Sequence, residues 1–417
     1  MSEGRERNRI LVAAVALLIL ALAVYGPIAL LAPLPTTRAV PLATSATTSE
    51  TEPPVLPAAG SSGVTLTAAD EPLPGGTDAP VPMAAAAKIV TALVVLDAQP
   101  LGAGRSGPAI SVTAEDYASY ARYSAEGTRA IRVVAGDSWS ERETLDAMLI
   151  ASSNNHAEML ARWAFGTLDG YLAAADKWLA KNHLDSVTVT DATGLSPGSV
   201  GTGSDLARLA ALAMADPFLA DAVALDSSST IRGVQFENTV RYRPEDSVVG
   251  ISRSYTDEAG VCLLFAVPVA LDGGDPVTVY GAFLGEPSYD DLSADMDAFL
   301  AGLPAALARY DLVPAGGAVA RYTTPWGTRA DAVAVDAIPA VGWGDAAAPT
   351  TDIDTDELGT ARRGAVVGTV TVTAGGTGSS TLKLSRAIGD PGPLWRLGHP
   401  GVVVPQFIRW IGSGGGG

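Results

Sequence analysis

The sequence predicts an α+β domain with an antiparallel sheet, a small all-β domain after it, and an N-terminal transmembrane helix before it. Three observations carry this prediction. An uncharged apolar run lies near the N-terminus, helical patterns followed by strand patterns fill the middle, and short Val/Thr-rich strands between Gly, Pro and Asp turns begin at residue 311. The length of 417 residues, at about 150 residues per domain, favours two or three domains.

Composition excludes several classes of function. With 27 Lys+Arg against 45 Asp+Glu, the formal net charge is −18, so we expect no nucleic-acid partner, because phosphate contacts need clustered cations. One cysteine, Cys262, and three histidines exclude a disulfide framework and make a Cys- or His-based metal site improbable. We therefore expect no metal and no cofactor.

The N-terminus predicts the cellular compartment. Residues 10–34 carry no charge, and these 25 residues exceed the about 20 that cross a bilayer. Arg5, Arg7 and Arg9 precede the run, and basic residues stay on the cytoplasmic side. We expect residues 1–34 to form a cytoplasmic tip and a single-pass membrane helix, with the rest extracytoplasmic. A cleaved signal peptide is the alternative, although the run is longer than the usual signal and lacks an evident cleavage site.

Composition also divides the remaining chain. Residues 35–82, rich in Thr, Ser, Pro and Ala, are predicted to be a mostly disordered linker, with one docked strand near 63–68. Residues 83–310 show a globular mixed pattern, and residues 311–411 are predicted to be β-rich. The last residues, 412–417, read GSGGGG and resemble an expression linker.

Individual elements follow from periodicity and capping signals. Ser140 and Glu143 form a capping-box pattern at the start of one helix. The predicted helices of the middle region are 84–96, 140–165, 168–183, 202–215 and 290–310, and its strands are 248–254, 261–271 and 276–284. The predicted late strands are 319–322, 332–335, 364–372 and 380–384, and 402–411 is predicted to be a last strand or weakly interfacial.

Four segments in order carry a resemblance to a known family. They are MAAAAKIVTALVVLD (83–97), LIASSNNHAEMLARWAFG (149–166), DATGLSPGSVGTGSDLARLA (191–210) and VGISRSYTDEAGVCLLFA (249–266). The chain resembles the serine-type D-Ala-D-Ala carboxypeptidases, the low-molecular-mass penicillin-binding proteins, and actinobacterial members above all, over about residues 60–310. The resemblance implies a penicillin-binding-protein/β-lactamase-like transpeptidase fold for residues 83–310, and a peptidoglycan stem peptide as ligand.

The family's chemistry rests on the motifs S-x-x-K, S-x-N and K-T-G. The first serine attacks a peptide carbonyl, and the lysine one helical turn later removes its proton. Lys88 aligns with that lysine, but Ala85 stands at the nucleophile position. Ser152 and Asn154 retain the second motif. Because alanine has no nucleophilic atom, the usual acyl-enzyme route is closed and an inactive protein is favoured.

The third motif is lost entirely. Ser252, Arg253 and Ser254 stand at the Lys, Thr and Gly positions, and Tyr255 follows them. In the family this strand supplies a cation and a hydroxyl for the substrate's terminal carboxylate, so these four residues are the candidate substrate-binding set. Two orientations stay open for Arg253: it faces the cleft and binds a carboxylate, or it lies on the surface.

Three functions are open at this point. The first is a membrane-anchored pseudoenzyme that binds a cell-wall peptide or a membrane or cell-wall protein. The second is an active carboxypeptidase in which Ser152 is a displaced nucleophile and Lys88 its base, acting in peptidoglycan maturation. The third is a scaffold that acts through the C-terminal domain or the transmembrane helix. An engineered change or a shifted alignment is a further explanation of Ala85.

Smaller expectations concern single residues. Lys88, if buried, is expected to hydrogen-bond Ser152 or Asn154. Asp191 is expected to shape a loop near the cleft. His156 is interpreted as structural rather than catalytic, and Cys262 as a thiol of the core.

Overall fold

The computed structural model describes residues 3–43, 51–102, 104–230, 233–272, 274–343, 350–374 and 376–414. Its helices, in chain order, are α1 (Glu3–Leu31), α2 (Ala87–Ala98), α3 (Ala114–Ala125), α4 (Glu141–Leu149), α5 (Asn154–Phe165), α6 (Leu168–Lys181), α7 (Gly203–Ala215), α8 (Pro217–Ala224), α9 (Tyr289–Ala306), α10 (Pro393–Gly398) and α11 (Pro400–Gly412). Short 3-10 helices occupy Ala84–Ala86 and Pro244–Asp246.

The strands form several sheets. In chain order they are β1 (Val40–Pro41), β2 (Ser61–Thr65), β3 (Leu73–Gly76), β4 (Val81–Pro82), β5 (Ala109–Ser111), β6 (Ser138–Ser140), β7 (Val200–Gly201), β8 (Ser227–Ser229), β9 (Gln235–Glu237), β10 (Val249–Thr256), β11 (Gly260–Val269), β12 (Val277–Glu286), β13 (Leu307–Val313), β14 (Ala318–Thr323), β15 (Arg329–Ala334), β16 (Ile338–Trp343), β17 (Thr350–Thr355), β18 (Val366–Ala374) and β19 (Gly376–Leu384). The chain divides into two compact units, which are described separately.

The first unit, here called the mixed domain, comprises the described residues from 51 to 309 and from 341 to 343. Its main sheet has the strand order β10-β11-β12-β2-β3, and every neighbouring pair is antiparallel. Helix α7 packs on β2 and β12, and α9 packs on β11 and β12. Because the sheet is covered by helices, β11 is a nearly continuous apolar run, GVCLLFAVPV. The predicted α+β class with an antiparallel sheet is confirmed.

Two predicted helices differ in extent from those observed. The capping box of Ser140 and Glu143 is present and opens α4, but the helical segment divides at Ile150–Ser153 before α5 begins. The division occurs where Ser152 adopts a positive φ of 55°, which an α-helix does not accommodate. The last predicted helix ends at Ala306, four residues early, and β13 follows it directly.

Part of the region interpreted as a disordered linker is folded. Within residues 35–82, β2 and β3 extend the main sheet, and Val64 of β2 is fully buried. A Cβ at Gly63 would lie within 2.6 Å of the Gly203 backbone, so glycine is needed for this close approach to α7. The docked strand expected near 63–68 overlaps β2, whereas β3, with the sequence LPGG, carries no strand pattern and was not predicted.

The second unit, here called the β-rich unit, comprises the described residues 3–43, 310–340, 350–374 and 376–414. Its sheet has the order β1-β14-β15-β19-β18-β17, with all five pairs antiparallel. The core between its strands includes Tyr322, Val370 and Leu382, each fully buried. This confirms an all-β body for the C-terminal region.

The chain after this sheet is helical, so the prediction of a strand over 402–411 was wrong. Helix α11 spans Pro400–Gly412, with a proline in its first turn. Val403 and Phe407, four residues apart, pack with Ala29 of α1 and with Ala32, which directly follows this helix. A Val-rich run resembles a strand, and it is this one-sided contact that makes it a helix instead. Residues 415–417 of the suspected linker lie outside the described residues.

Helix α1 contains the apolar run of the N-terminus. Ile10–Leu31 is 22 residues long with a mean hydropathy of 2.6, and its most apolar stretch is not buried against other parts of the described chain. Length and composition are those of a membrane span or of a signal sequence.

Candidate functional site

A cavity of about 280 Å³ opens in the mixed domain where α2, α5 and β10 meet. It brings together six of the eight predicted site residues, namely Ala85, Lys88, Ser152, Asn154, Ser254 and Tyr255. The rest of its lining consists of Gly127, Thr128, Arg129, Thr193, Gly194, Leu195, Thr256 and Tyr289. Ser252 and Arg253 do not line it.

The backbone just before Ala85 has an unusual conformation. Ala84, just before it, has a positive φ of 46°, which is strained for a residue with a side chain. The Ala85 N–H donates to Ser254 Oγ at 3.1 Å. Gly194, also at positive φ, packs on the Ala84 carbonyl, where a Cβ would overlap it. The start of α2 is therefore fixed in place although it carries no nucleophile.

Lys88 is buried in this cavity, with 4 % of its surface exposed. Burial lowers the pKa of Lys88 to about 7, against an opposing effect of Asp191, while the charge of Arg129 lowers it further. The ammonium Nζ donates to the Thr193 carbonyl at 2.8 Å. Its partner is thus a backbone oxygen rather than Ser152 or Asn154, as the sequence had suggested. An amine with this pKa is unprotonated in about half of the molecules at pH 7, which is the range in which a general base works.

The loop that holds Lys88 is organised by one carboxylate. Asp191 Oδ2 accepts hydrogen bonds from the Thr193 N–H and the Leu195 N–H, both at 3.2 Å, and from the Thr193 hydroxyl. Its Oδ1 accepts from Ser199 Oγ at 2.7 Å. The expected role of Asp191 in shaping this loop is confirmed, and the loop in turn presents Thr193 O to Lys88.

Ser152 and Asn154 form the wall between α4 and α5. Both are buried, with 4 % and 2 % exposed. The Asn154 N–H donates to the Arg129 carbonyl at 2.9 Å, which ties the start of α5 to the loop after α3. Asn154 Oδ1 is buried with no hydrogen-bond partner among the described residues. This oxygen lacks an N–H partner such as a bound peptide would supply.

Strand β10 forms the other wall. Its pairing with β11 runs from Val249 to Thr256 with one register shift, between Gly250 and Ser252. Ser252 is buried, with 4 % exposed, and only Ser254 and Tyr255 of the four candidate binding residues reach the cavity. The strand backbone and the hydroxyl of Ser254 are therefore at the cavity, while no cationic side chain of β10 lines it.

Arg253 neither points into the cavity nor extends freely from the surface. Its Nη2 donates to the Thr239 carbonyl at 3.3 Å, and its guanidinium carbon lies 6.0 Å from the ring centroid of Tyr289. Tyr289 lines the cavity, so Arg253 sits at its edge without lining it.

Sequence reasoning missed several cavity residues. Arg129 and Thr193 lie in loops, and Tyr289 begins α9, more than 30 residues after β10. Thr193 belongs to the segment 191–210 that carries the family resemblance, whereas no motif marks Arg129 or Tyr289, because only tertiary folding brings their segments to the cleft.

His156 and Cys262 lie in the core rather than in the cavity. The His156 ring packs on Trp139 with 4.5 Å between centroids, and its Nδ1 shares a 2.8 Å hydrogen bond with Ser153 Oγ. Burial lowers the pKa of His156 to about 3 and raises that of the Cys262 thiol to about 11. At neutral pH the imidazole is uncharged and the thiol protonated. The interpretation of Cys262 as a core thiol is confirmed.

Residues 69–273 match the family model described as D-alanyl-D-alanine carboxypeptidase. Among curated proteins none matches the chain. Penicillin binding protein 5 from Haemophilus influenzae is similar in structure, with a TM-score of 0.57 and 15% identity over 82% of this chain and 100% of that chain.

Two further solved structures agree. A peptidoglycan synthesis regulatory factor from Streptococcus pneumoniae has a TM-score of 0.56 and 19% identity, over 79% of this chain and 99% of that one. A penicillin-binding protein homologue from Mycobacterium tuberculosis has a TM-score of 0.50 and 21% identity, over 61% and 95%. At these identities the structural likeness confirms the fold.

Proposed function

We propose that this chain, whose residues 69–273 match the D-alanyl-D-alanine carboxypeptidase family model, belongs to that family and binds a peptidoglycan stem peptide without hydrolysing it. One observation carries the proposal. Ala85 lines the cavity one helical turn before Lys88, so a lysine with a pKa of about 7 has no hydroxyl beside it at that position. A base without its nucleophile does not start acyl transfer.

A second contact supports the absence of turnover. Acyl transfer needs backbone N–H groups free to stabilise the oxyanion of the transition state. The N–H at the nucleophile position, that of Ala85, is already bonded to the Ser254 hydroxyl. A substrate carbonyl would have to displace this hydroxyl to reach it.

The backbone conformation and the hydrogen bonds around the cavity support a role in ligand binding. Ala84 and Ser152 keep strained positive φ values on either side of the cavity. Strain of about 1–3 kcal/mol per residue persists only where surrounding contacts enforce it. Asp191 and its four hydrogen bonds maintain the loop around Lys88. A cleft without function would be expected to relax these features.

We further propose that the protein is membrane-anchored with both units outside the cytoplasm. Arg396 of α10 donates from Nη1 to the Ala32 carbonyl at 2.7 Å, at the end of α1. Nearby, large apolar side chains of α10 and α11 point to solvent, with Leu394 87%, Ile408 64% and Ile411 56% exposed. Exposed apolar groups beside the outer end of an apolar span suit the bilayer interface.

The displaced-nucleophile alternative keeps one observation in its favour. Ser152 lines the same cavity as Lys88. Its weakness is that Nζ bonds Thr193 O, so base and hydroxyl are not paired. The scaffold alternative predicts that the cleft binds nothing.

The test uses the full chain in detergent micelles, incubated with a stem pentapeptide ending in D-Ala-D-Ala. Calorimetry measures binding, and an enzymatic assay measures released D-alanine. We expect binding without release, and no covalent labelling by a fluorescent penicillin. Release that disappears in Ser152→Ala would establish the displaced nucleophile instead, whereas absent binding would favour the scaffold.

The membrane proposal has its own measurement. After expression in a bacterial host, alkaline extraction should leave the protein in the membrane pellet at full length. A soluble product lacking its first residues would show that the N-terminal segment is a cleaved signal.

A further inference from the structure

Lys88 lies in the cavity as an amine with a single partner. Its Nζ donates to the Thr193 carbonyl at 2.8 Å, and this is its only hydrogen bond among the described residues. Within the same part of the chain, no carboxylate lies within 4.0 Å of it. A carbonyl oxygen accepts one N–H of the amine and leaves the lone pair of the uncharged nitrogen unused. The side chain is therefore buried without being held in an ion pair.

The charge of this amine differs from that of an ordinary lysine. Burial lowers the pKa of Lys88 to about 7, so the uncharged and nucleophilic form is abundant at neutral pH. An exposed lysine of ordinary pKa is uncharged in fewer than about one molecule in 10³ at pH 7. The other lysines of the chain, Lys177, Lys181 and Lys383, are all exposed. The cavity therefore holds the one buried lysine of the sequence.

The cavity gives the lone pair of Lys88 room and polar neighbours. Position 85, three residues earlier, carries only a methyl group, so no hydroxyl stands there to donate to the amine. Asn154, whose Oδ1 is buried without a hydrogen-bond partner among the described residues, lines the same cavity, as does Ser152. A nucleophile, an acceptor and a hydroxyl group thus share a space of about 280 Å³.

The class of compound that suits this amine follows from the fate of the product. An amine that attacks an ester or an amide ends as a stable amide, and the site is lost after one reaction. An amine that attacks an aldehyde gives an imine, which water reverses. An aldehyde also carries one substituent on its carbonyl carbon where a ketone carries two, and so reaches a side chain that is 4 % exposed more easily.

We propose that Lys88 is a carbonyl-reactive amine that holds a small aldehyde in this cavity as an imine. The nitrogen lone pair forms a bond to the carbonyl carbon, the π pair of the carbonyl moves to its oxygen, and a proton passes from nitrogen to that oxygen. The hydroxyl group so formed leaves as water with the second proton of the nitrogen, and the C=N bond forms. Asn154 Oδ1 is an acceptor for this hydroxyl group while the intermediate lasts. The reaction needs no peptide, and so goes beyond the proposed function.

The experiment incubates the full chain in detergent with propanal and sodium cyanoborohydride, which reduces an imine to a stable secondary amine. Peptide mass spectrometry then locates the N-propyl groups among the lysines. At pH 7 we expect Lys88 to be modified at least about 100-fold faster than Lys177 or Lys383, because its uncharged fraction exceeds that of an ordinary exposed lysine by about 10³. The rate at Lys88 should reach half of its maximum near pH 7.

Ala85→Ser is the matched variant, because it places a hydroxyl three residues before the amine, where the O–H can donate to the lone pair. We expect modification of Lys88 to slow by about fivefold, the factor of one ordinary hydrogen bond, and that of Lys177 to stay the same. Thermal denaturation establishes that the variant is folded.

Two results would overturn this inference and leave the proposed peptide binding standing. One is modification of Lys88 no faster than that of Lys177, and the other is a rate at Lys88 that still rises tenfold per pH unit up to pH 10. Fast modification of Lys88 in a protein that binds no stem peptide would support the inference and overturn the proposed function alone.

Discussion

The two walls of the cleft compare differently with the motif alignment proposed from the sequence. The helical wall has Lys88, Ser152 and Asn154, all buried, with Ala85 at the proposed nucleophile position. On the strand wall, that alignment sets Ser252, Arg253 and Ser254 against the family's Lys, Thr and Gly. Yet the backbone of β10 pairs with β11 without interruption from Ser252 to Thr256. The backbone of the strand wall is therefore regular, although its side chains differ from those of the family motif in the proposed alignment.

The way each wall is held explains this difference. Side chains hold the helical wall, through the Lys88 bond to Thr193 O and the hydrogen bonds of Asp191, so substitutions there lose buried contacts. Backbone pairing holds β10, and a strand ladder accepts most side chains. We therefore expect side-chain substitutions on the strand wall to change stability less than substitutions on the helical wall.

The largest effect is expected from rebuilding the strand wall. Ala85→Ser alone restores a hydroxyl, but the Ser254 hydroxyl still caps the N–H at position 85. We expect labelling by a fluorescent penicillin to be at least about 100-fold faster when Ser252→Lys, Arg253→Thr and Ser254→Gly accompany Ala85→Ser, because one oxyanion donor contributes about 10²–10³ in rate. Gel fluorescence over time measures it.

The control carries the three strand substitutions with Ala85 unchanged, and it should not be labelled. If Ala85→Ser alone were labelled as fast as the fourfold variant, the strand wall would not limit the reaction. The difference between the walls would then have no chemical consequence.

The sequence predicted the part of this site that local motifs define. Lys88, Ser152 and Asn154 were identified by their resemblance to short family motifs, and they meet in the cavity. The Ser254 contact with Ala85 N–H depends on the spatial approach of β10 to the segment before α2. The hydrogen bond of Arg129 to Thr239 joins residues more than 100 positions apart. Contacts of that kind leave no periodicity in the sequence.

Prediction of the fold from the sequence was limited in the same way. The β10–β12 segment was predicted because its apolar and β-branched runs are long. The short strand β2 was placed only as a docked strand, and α11 was mistaken for a strand, because in both cases the partner element decides the structure.

The second prediction tests the helical wall directly. Asp191→Ala removes the acceptor of four hydrogen bonds. We expect a loss of about 3 kcal/mol in the free energy of unfolding, measured by urea denaturation, since buried donors are left unpaired. Asp185→Ala, at an exposed aspartate six residues earlier, is the control and should change stability by less than about 0.5 kcal/mol. Equal effects of the two substitutions would show that the loop is not held by Asp191.

A smaller effect is expected from the buried amine. The pKa of Lys88 is about 7 in the folded protein, against an ordinary value of 10.5 for lysine. The unfolded chain therefore binds more protons between these values, and stability rises with pH across pH 7–10.5. From pH 7.5 to 9.5 this contributes roughly 2 kcal/mol, which Lys88→Met should remove. Thermal denaturation at both pH values measures the slope, with Lys177→Met as the exposed control. An unchanged slope in Lys88→Met would mean that Lys88 stays charged in the fold.

The smallest effect concerns the sheet behind the strand wall. Glu286 ends β12, pairs with Val261 of β11, and is 1 % exposed. Burial, and then the charge of Asp295 and a hydrogen bond with it, raise the pKa of Glu286 to about 7 from its ordinary value of 4.5. Because the folded pKa is the higher one, the folded state holds a proton that the unfolded chain releases, and stability falls as pH rises from 4.5 to 7. Glu286→Gln should abolish that decline, by less than the effect at Lys88, while Glu258→Gln, at an exposed site, should keep it. Thermal denaturation at pH 5 and pH 7 distinguishes them. A decline that persists in Glu286→Gln would assign the pH dependence to another group. Burial of an ionisable side chain would then lower the stability of the helical wall, at Lys88, but not that of the sheet.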